Sequence, residues 1–286
     1  MRIDAHQHFW SRARGNDYGF LTPDAGVLYN DYLPNQLEPL LGKQRIDYAV
    51  TVQAAPTIEE TEWLLAQTSD VDFIIGVVGW LDFDVPADDF ARAVDSLCRH
   101  PKFVGLRPML QDLEDDRWIL RPQVIANLRH LAALDLPFDI LVYPRHLPHI
   151  LQMLEQVDGL RAVVDHCAKP VIRRGILEPW AELMQKISHF PAVRCKVSGL
   201  VTEANLEHWK VSDFAPFVSH VIACFGADRL LFGSDWPVCL QAASYDEVVA
   251  LVERLVPDTW GEQEMEKLFG LNAMEFYKLN PGRETD

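Results

Sequence analysis

The sequence is short of basic residues: 26 Lys and Arg stand against 42 Asp and Glu in 286 residues, a formal charge of −16. Nucleic-acid backbones and anionic membranes both reward clustered cations, so neither is expected as a partner. Cysteine is sparse too. Cys98, Cys167, Cys195, Cys224 and Cys239 are odd in number and include no CxxC spacing, which argues against a disulfide framework and for reduced thiols. No run of about 18 apolar residues is present to cross a membrane. The strand pattern starts within the first residues, without the basic and apolar regions of a secretion signal. These absences predict a cytoplasmic protein. There is also no Gly/Ser linker, composition shift or fixed-period repeat, so residues 1–286 read as a single domain. What is present is ample core material, with 49% hydrophobic residues.

Eight short apolar segments recur, at 2–8, 47–55, 73–81, 103–110, 137–143, 161–167, 193–199 and 229–236. Near-continuous apolar runs of this length suit strands covered on both faces, as in a parallel sheet. Between them, 57–69, 88–100, 123–135, 147–157, 180–190 and 212–226 carry apolar residues at the three-and-four spacing of amphipathic helices. Strand starts recur roughly every 24 to 45 residues, and the alternation predicts a single (β/α)8 barrel. Segment 9–35 holds the turn formers Gly15, Asn16, Gly19, Pro23, Asp24, Gly26 and Pro34. It reads as a long loop after the first strand, over the barrel end where active sites sit. Two extra helices, 245–256 and 262–279, follow the last strand and pack outside or close the bottom.

In MRIDAHQHFW at 1–10, Ile3 and Ala5 alternate with Asp4, His6 and His8. Period two in a strand points His6 and His8 the same way, and two neutral imidazoles side by side can take one divalent ion. In a barrel, strand ends converge on one mouth. The chemically capable residues that would gather there are His6, His8, Gln53, Trp80, Arg107, Tyr143, His166, Lys196, Ser198 and Asp235, with Asp139 a further candidate. Histidines and an aspartate aimed at one point suit a catalytic divalent ion with an open position for water. Arg107 would supply the local positive charge that a substrate turning anionic needs in so acidic a chain. Lys196, among the apolar Val193, Cys195 and Val197, is expected to point inward toward the mouth, its role open. Strand alternation lets only one of Asp165 and His166 point in. The other seven histidines fall on helices or their ends and read as ordinary surface or capping residues.

The motifs IDAHQHFW at 3–10, VVDHCAKP at 163–170, LLFGSDWP at 230–237 and GLNAMEFY at 270–277 resemble the amidohydrolase superfamily. Within it they look like the sugar-lactone hydrolases of the L-fuconolactonase and L-rhamnonolactonase type. The resemblance covers almost the whole chain. It implies a TIM barrel in which His6, His8, His166 and Asp235 surround the hydrolytic centre as catalytic groups and metal ligands, with His166 rather than Asp165 turned inward. Zinc is the ion expected, and Arg107 is expected to meet substrate. Trp80, Trp236, Trp10, Phe9 and Tyr143 either stack on a sugar ring or plug the mouth. Gln53 and Lys196 complete the expected substrate set. Two-metal relatives carry a bridging lysine or glutamate near strand four and a histidine closing strand five. Arg107 and Tyr143 stand here instead, so one metal at most is expected, and the similar pyrone-dicarboxylate lactonases work without any. The implied reaction opens a sugar 1,5- or 1,4-lactone to the aldonic acid. Asp235 would take the water proton, and the carbonyl would be polarised by the ion or, without metal, by the histidine cluster and Arg107. Two alternatives are a non-oxidative decarboxylase of the same superfamily and a non-catalytic barrel acting as a binding module. The full set of histidines and aspartate argues against the second.

Overall fold

The computed structural model describes residues 1–14 and 18–281. The expected turn formers Gly15 and Asn16 lie outside the described residues. Eight parallel strands pair in chain order. They are β1 (Ile3–Gln7), β2 (Tyr48–Val52), β3 (Ile74–Gly79), β4 (Phe103–Leu106), β5 (Phe138–Ile140), β6 (Ala162–Val164), β7 (Val193–Val197) and β8 (Leu230–Phe232). Their sequences are apolar on both faces because each strand is covered twice, by the lumen within and by helices without. Helices α1 (Pro34–Lys43), α2 (Ile58–Thr68), α3 (Ala87–Leu97), α4 (Pro122–Leu134), α5 (Leu147–Gln156), α6 (Trp180–Ser188) and α7 (Val211–Phe225) connect them. Helix α1 was not legible in the sequence, since Pro34, Pro39 and Gly42 interrupt its pattern. Pro34 stands at its start, where a missing N–H costs nothing.

The seam between β8 and β1 is closed by backbone. Asp235 N donates to His6 O at 2.8 Å and His8 N to Trp236 O at 2.7 Å. The result is the (β/α)8 barrel. Ile3, Ala5, Val50, Val52, Val78, Val104, Val163 and Leu231 fill its lower lumen. After α8 (Tyr245–Leu255) the chain closes the bottom: Ala273, Phe276, Tyr277 and Leu279 pack onto those same lumen residues. Each large apolar side chain so buried contributes roughly 1.5–3 kcal/mol. The single helix expected over 262–279 is instead α9 (Glu262–Glu266), a π turn at Lys267–Leu271 and α10 (Asn272–Tyr277). Gly270 within that turn lies against the N-terminus, where a Cβ would come within 2.4 Å of Met1 O. Asn272 Nδ2 then donates to the carbonyls of Ala227 and Leu230, both at 2.7 Å, and anchors the plug.

The loop after β1 is pinned at its base by paired backbone hydrogen bonds between Trp10 and Tyr32, at 3.0 and 2.9 Å. Edge-on rings continue the attachment, from Tyr32 to Trp236 at 5.2 Å and from Trp10 to Phe20 at 5.2 Å. Among the described residues no helix is long and apolar enough to cross a membrane. All five cysteines are free.

Candidate active site

The end of β1 carries a bulge. Asp4 pairs with Ala49 but Gln7 with Thr51, so three residues advance against two. Strict alternation would have put Asp4, His6 and His8 on one face, and the bulge divides them. Asp4 turns outward, accepting from Tyr245 Oη at 3.0 Å and Ser234 N at 2.9 Å. His6 and His8 turn in above Ala5. Asp4 thus ties β1 to the segment bearing Asp235, a role the sequence reading did not assign.

His8 Nδ1 donates to the carbonyl of Val52 at 2.8 Å, which leaves a lone pair on Nε2. That nitrogen lies 3.2 Å from His6 Nε2 and 3.3 Å from Asp235 Oδ1. His6 has Arg107 Nη1, which can only donate, 3.3 Å from its Nε2. Asp165 Oδ1, which can only accept, lies 3.3 Å from its Nδ1. Nδ1 also faces the Lys196 ammonium at 3.2 Å, while the donor-only Arg107 leaves a lone pair on Nε2. Two imidazole nitrogens and a carboxylate oxygen therefore converge, with the Arg107 guanidinium beside His6 Nε2. Burial holds His6 well below the usual histidine range, so it is neutral. The ligating atoms of His6, His8 and Asp235 lie within 4.8 Å of one another, and nitrogens about 2 Å from one tetrahedral ion would sit a little over 3 Å apart. The donor set fits a divalent metal.

Below His6 lies a fully buried layer of charge. Lys196 Nζ donates to Asp139 Oδ2, and sits 3.0 Å from Asp165 Oδ1 and 3.2 Å from His6 Nδ1. Arg107 Nη1 reaches Asp165 Oδ2 at 3.4 Å, while Nη2 donates to the Gln53 carbonyl. Tyr277 from the C-terminal plug donates to Asp139 at 2.8 Å. Burial pushes the Asp165 carboxyl up, but Lys196 and His6 beside it outweigh that and hold it well below the usual range. Such buried charges are stable only as a paired set.

Asp165 and His166 both serve this site, against the expectation that only one can. The strand ends at Val164, and His166, Cys167, Ala168 and Lys169 then take φ of 53°, 51°, 58° and 49°. This left-handed turn of non-glycine residues costs roughly 1–2 kcal/mol per residue, and cancels strand alternation. His166 Nε2 comes 3.9 Å from Asp235 Oδ1, and its Nδ1 meets Ser198 Oγ at 2.9 Å. Burial lowers the His166 pKa to about 4. Gly199 is what admits the ring, since a Cβ there would lie 2.4 Å from His166 Nδ1. Asp235 is buried as well, which alone would raise its pKa; the His166, His8 and His6 imidazoles outweigh this and keep it ionised.

These groups form the floor of a cleft of about 910 Å³. His8, His166, Asp235, Arg107 and Trp80 line it, and Tyr18, Phe20 and Leu28 of the loop after β1 form one wall. Four expected substrate residues do not line it. Lys196 is fully buried below His6 by its carboxylate partners. Gln53 spends its amide on the Arg107 carbonyl at 2.7 Å. Trp236 packs under the loop against Tyr32 and Phe9. Tyr143 stacks beneath Arg145 at the rim. In their place Trp118, Gln111 and Lys169 reach the cleft. Only Lys169 had a signal, its position in the HCAKP segment.

A (β/α)8 barrel with two histidines ending the first strand, one after the sixth and an aspartate after the eighth carries its chemistry at the C-terminal face, as barrel enzymes do. The profile of the family described as amidohydrolase matches residues 3–279. The chain belongs to that family. It is 42% identical to an L-fucono-1,5-lactonase of Burkholderia ambifaria, over 98% of this chain and 96% of that protein. An L-fucono-1,5-lactonase of Burkholderia multivorans is 38% identical, over 98% and 96%. Among solved structures, a zinc-bound amidohydrolase from Burkholderia multivorans superposes with a TM-score of 0.92 at 37% identity, covering 98% of this chain and 100% of that one.

Proposed function

We propose that this protein hydrolyses L-fucono-1,5-lactone, or a related aldonolactone, to the aldonic acid. The observation that carries the reading is a buried Asp235 carboxylate that meets His8 Nε2 at 3.3 Å and His6 Nε2 at 3.9 Å at the floor of a cleft roomy enough for a sugar lactone. The full-length likeness to two L-fucono-1,5-lactonases supports it.

Hydrolysis needs water made nucleophilic and a carbonyl made electrophilic. His6, His8 and Asp235, with His166 beside them, would hold one divalent ion, for which we propose zinc. When bound, such an ion lowers the pKa of water and polarises a carbonyl. Asp235 is the proton acceptor: it is ionised at neutral pH and is aimed into the cleft from a backbone fixed to His6. It takes the water proton and returns it to the ring oxygen as the C1–O bond breaks. His8 is oriented by the Val52 carbonyl and His6 by Asp165, so neither ring must reorganise during the reaction. Arg107 fixes Asp165 and His6 at once. The loop wall of Tyr18, Phe20 and Leu28 shields one side from bulk water. The five free thiols favour a reducing, cytoplasmic setting.

A pH-indicator assay on L-fucono-, L-rhamnono-, D-arabinono- and D-galactonolactones tests this. Hydrolysis concentrated on one or two of them is expected. Activity on none would overturn the reading and move weight to decarboxylation.

A further inference from the structure

We propose that Lys169 is the cation that meets the carboxylate as the lactone ring opens, and so is a further catalytic residue; the inference rests on the lactonase reading above. Hydrolysis turns a neutral substrate into an anion inside a strongly acidic protein. Beside the ion proposed above, a side-chain cation in the cleft can face that charge. Among the described residues lining the cleft, Arg107 and Lys169 are the only lysines or arginines.

Arg107 is already committed. Its Nη1 lies between Asp165 and His6, and its Nη2 is held by the Gln53 carbonyl. Turning it to a substrate carboxylate would take from buried Asp165 one of its two cations and leave it only Lys196. Lys169 is different. Among the described residues its ammonium makes no ion pair, and the group beside it is the Tyr143 ring, 5.3 Å to the centroid. Glu203, a half-buried acid, feels its field, but no ion pair between the two forms among the described residues.

The backbone supplies the second observation. In a left-handed turn, residues three apart share a face, as they do in its right-handed mirror. His166 and Lys169 are three apart, and both line the cleft. Cys167 between them faces away: its Sγ donates to the Lys196 carbonyl, and its carbonyl accepts from Trp180 Nε1 at 2.7 Å. Four consecutive strained residues therefore achieve one result that a relaxed strand end would not, which is to show a histidine and an ammonium to the same substrate.

The step balances without a further reactant. Water gives its oxygen to C1 and, through Asp235, one proton to the ring oxygen as the C1–O bond breaks. The aldonic acid releases its remaining proton to solvent, and Lys169 pairs with the carboxylate left behind.

The test separates charge from shape. Wild type, Lys169→Met and Lys169→Arg are titrated calorimetrically with the aldonate and with the matching alditol, which carries the hydroxyls but no carboxylate. Lactone kcat and KM are measured alongside. The Met variant is expected to lose roughly tenfold or more in aldonate affinity while alditol affinity stays within about twofold, and the Arg variant to recover much of the loss. In the Met variant kcat falls more than KM changes. Equal losses for both ligands, unchanged aldonate binding, or a wild type that binds no aldonate would overturn the proposal. Lys169-dependent aldonate binding in an enzyme that opens no lactone would support the anion site and overturn the lactonase reading alone.

Discussion

Asp235 and His6 are joined through their backbones before their side chains meet. The amide of Asp235 donates to the His6 carbonyl at 2.8 Å across the β8–β1 seam, and the His6 Nε2 then lies 3.9 Å from Asp235 Oδ1. The proposed proton acceptor and the first histidine are thus positioned by the same hydrogen bonds that close the barrel. Asp235 also sits at φ 57°, a conformation that Asn and Asp tolerate better than other non-glycine residues. Asp235→Asn should therefore keep its backbone and its fold while losing the base. Turnover is expected to drop ~10²–10⁴-fold with little change in the circular dichroism spectrum. Retention of more than about a tenth of wild-type kcat would remove Asp235 from the proton-transfer role by that same measure.

Gly199 offers an independent handle on His166. Its φ is 59°, and an added Cβ would lie 2.4 Å from His166 Nδ1 and 3.1 Å from Asp235 Oδ2. Gly199→Ala should cost roughly 1–2 kcal/mol in backbone strain. It should also displace the imidazole, for which a kcat/KM loss on the order of 10²-fold is expected. Thermal unfolding and kinetics on the same preparation separate the two, and a variant that loses stability but keeps its rate would show that His166 has room to move.

Much of this arrangement was legible in the sequence. The eight apolar runs announce the strands because a parallel barrel hides both faces of each strand, and the pairing of HxH with GSDW points to one mouth. What escaped notice has a common cause. The bulge at Asp4–Gln7, the left-handed turn at His166–Lys169 and the π turn at Lys267–Leu271 all break the regular periods on which sequence reading depends. The bulge separates Asp4 from His6, and the turn brings both Asp165 and His166 into the site. Lys196 shows a further limit. An inward lysine is predictable from its apolar neighbours, but its depth below His6 depends on Asp139 of β5 and on Asp165 just past the end of β6.

Metal removal is the next test. The converging lone pairs of His6 and His8 predict that a chelated sample loses most of its activity and regains it with zinc. Because an ion binds the folded chain and not the unfolded one, Tm should rise with added metal; at a hundredfold excess over Kd the gain is about 2.7 kcal/mol. His8→Ala should abolish that rise. Full activity in a sample shown by elemental analysis to be metal-free would assign carbonyl polarisation to the imidazoles instead.

Acid sensitivity follows from burial. His166 is lowered from 6.5 to about 4 because its charged form is desolvated, and Asp235 is held below the usual carboxylate range by the imidazoles around it. Both are in the form the proposed reaction uses throughout the neutral range, so the acid limb that His166 gives kcat/KM is expected at about 4. Stability carries the same sign. Between 6.5 and about 4 the unfolded chain takes up a proton on His166 that the folded chain refuses, so acidification through this window favours unfolding. The difference corresponds to roughly 3 kcal/mol once pH falls below the folded value. A His166→Gln variant should flatten the pH dependence of urea midpoints across the window, and an unchanged slope would place the proton uptake on another group.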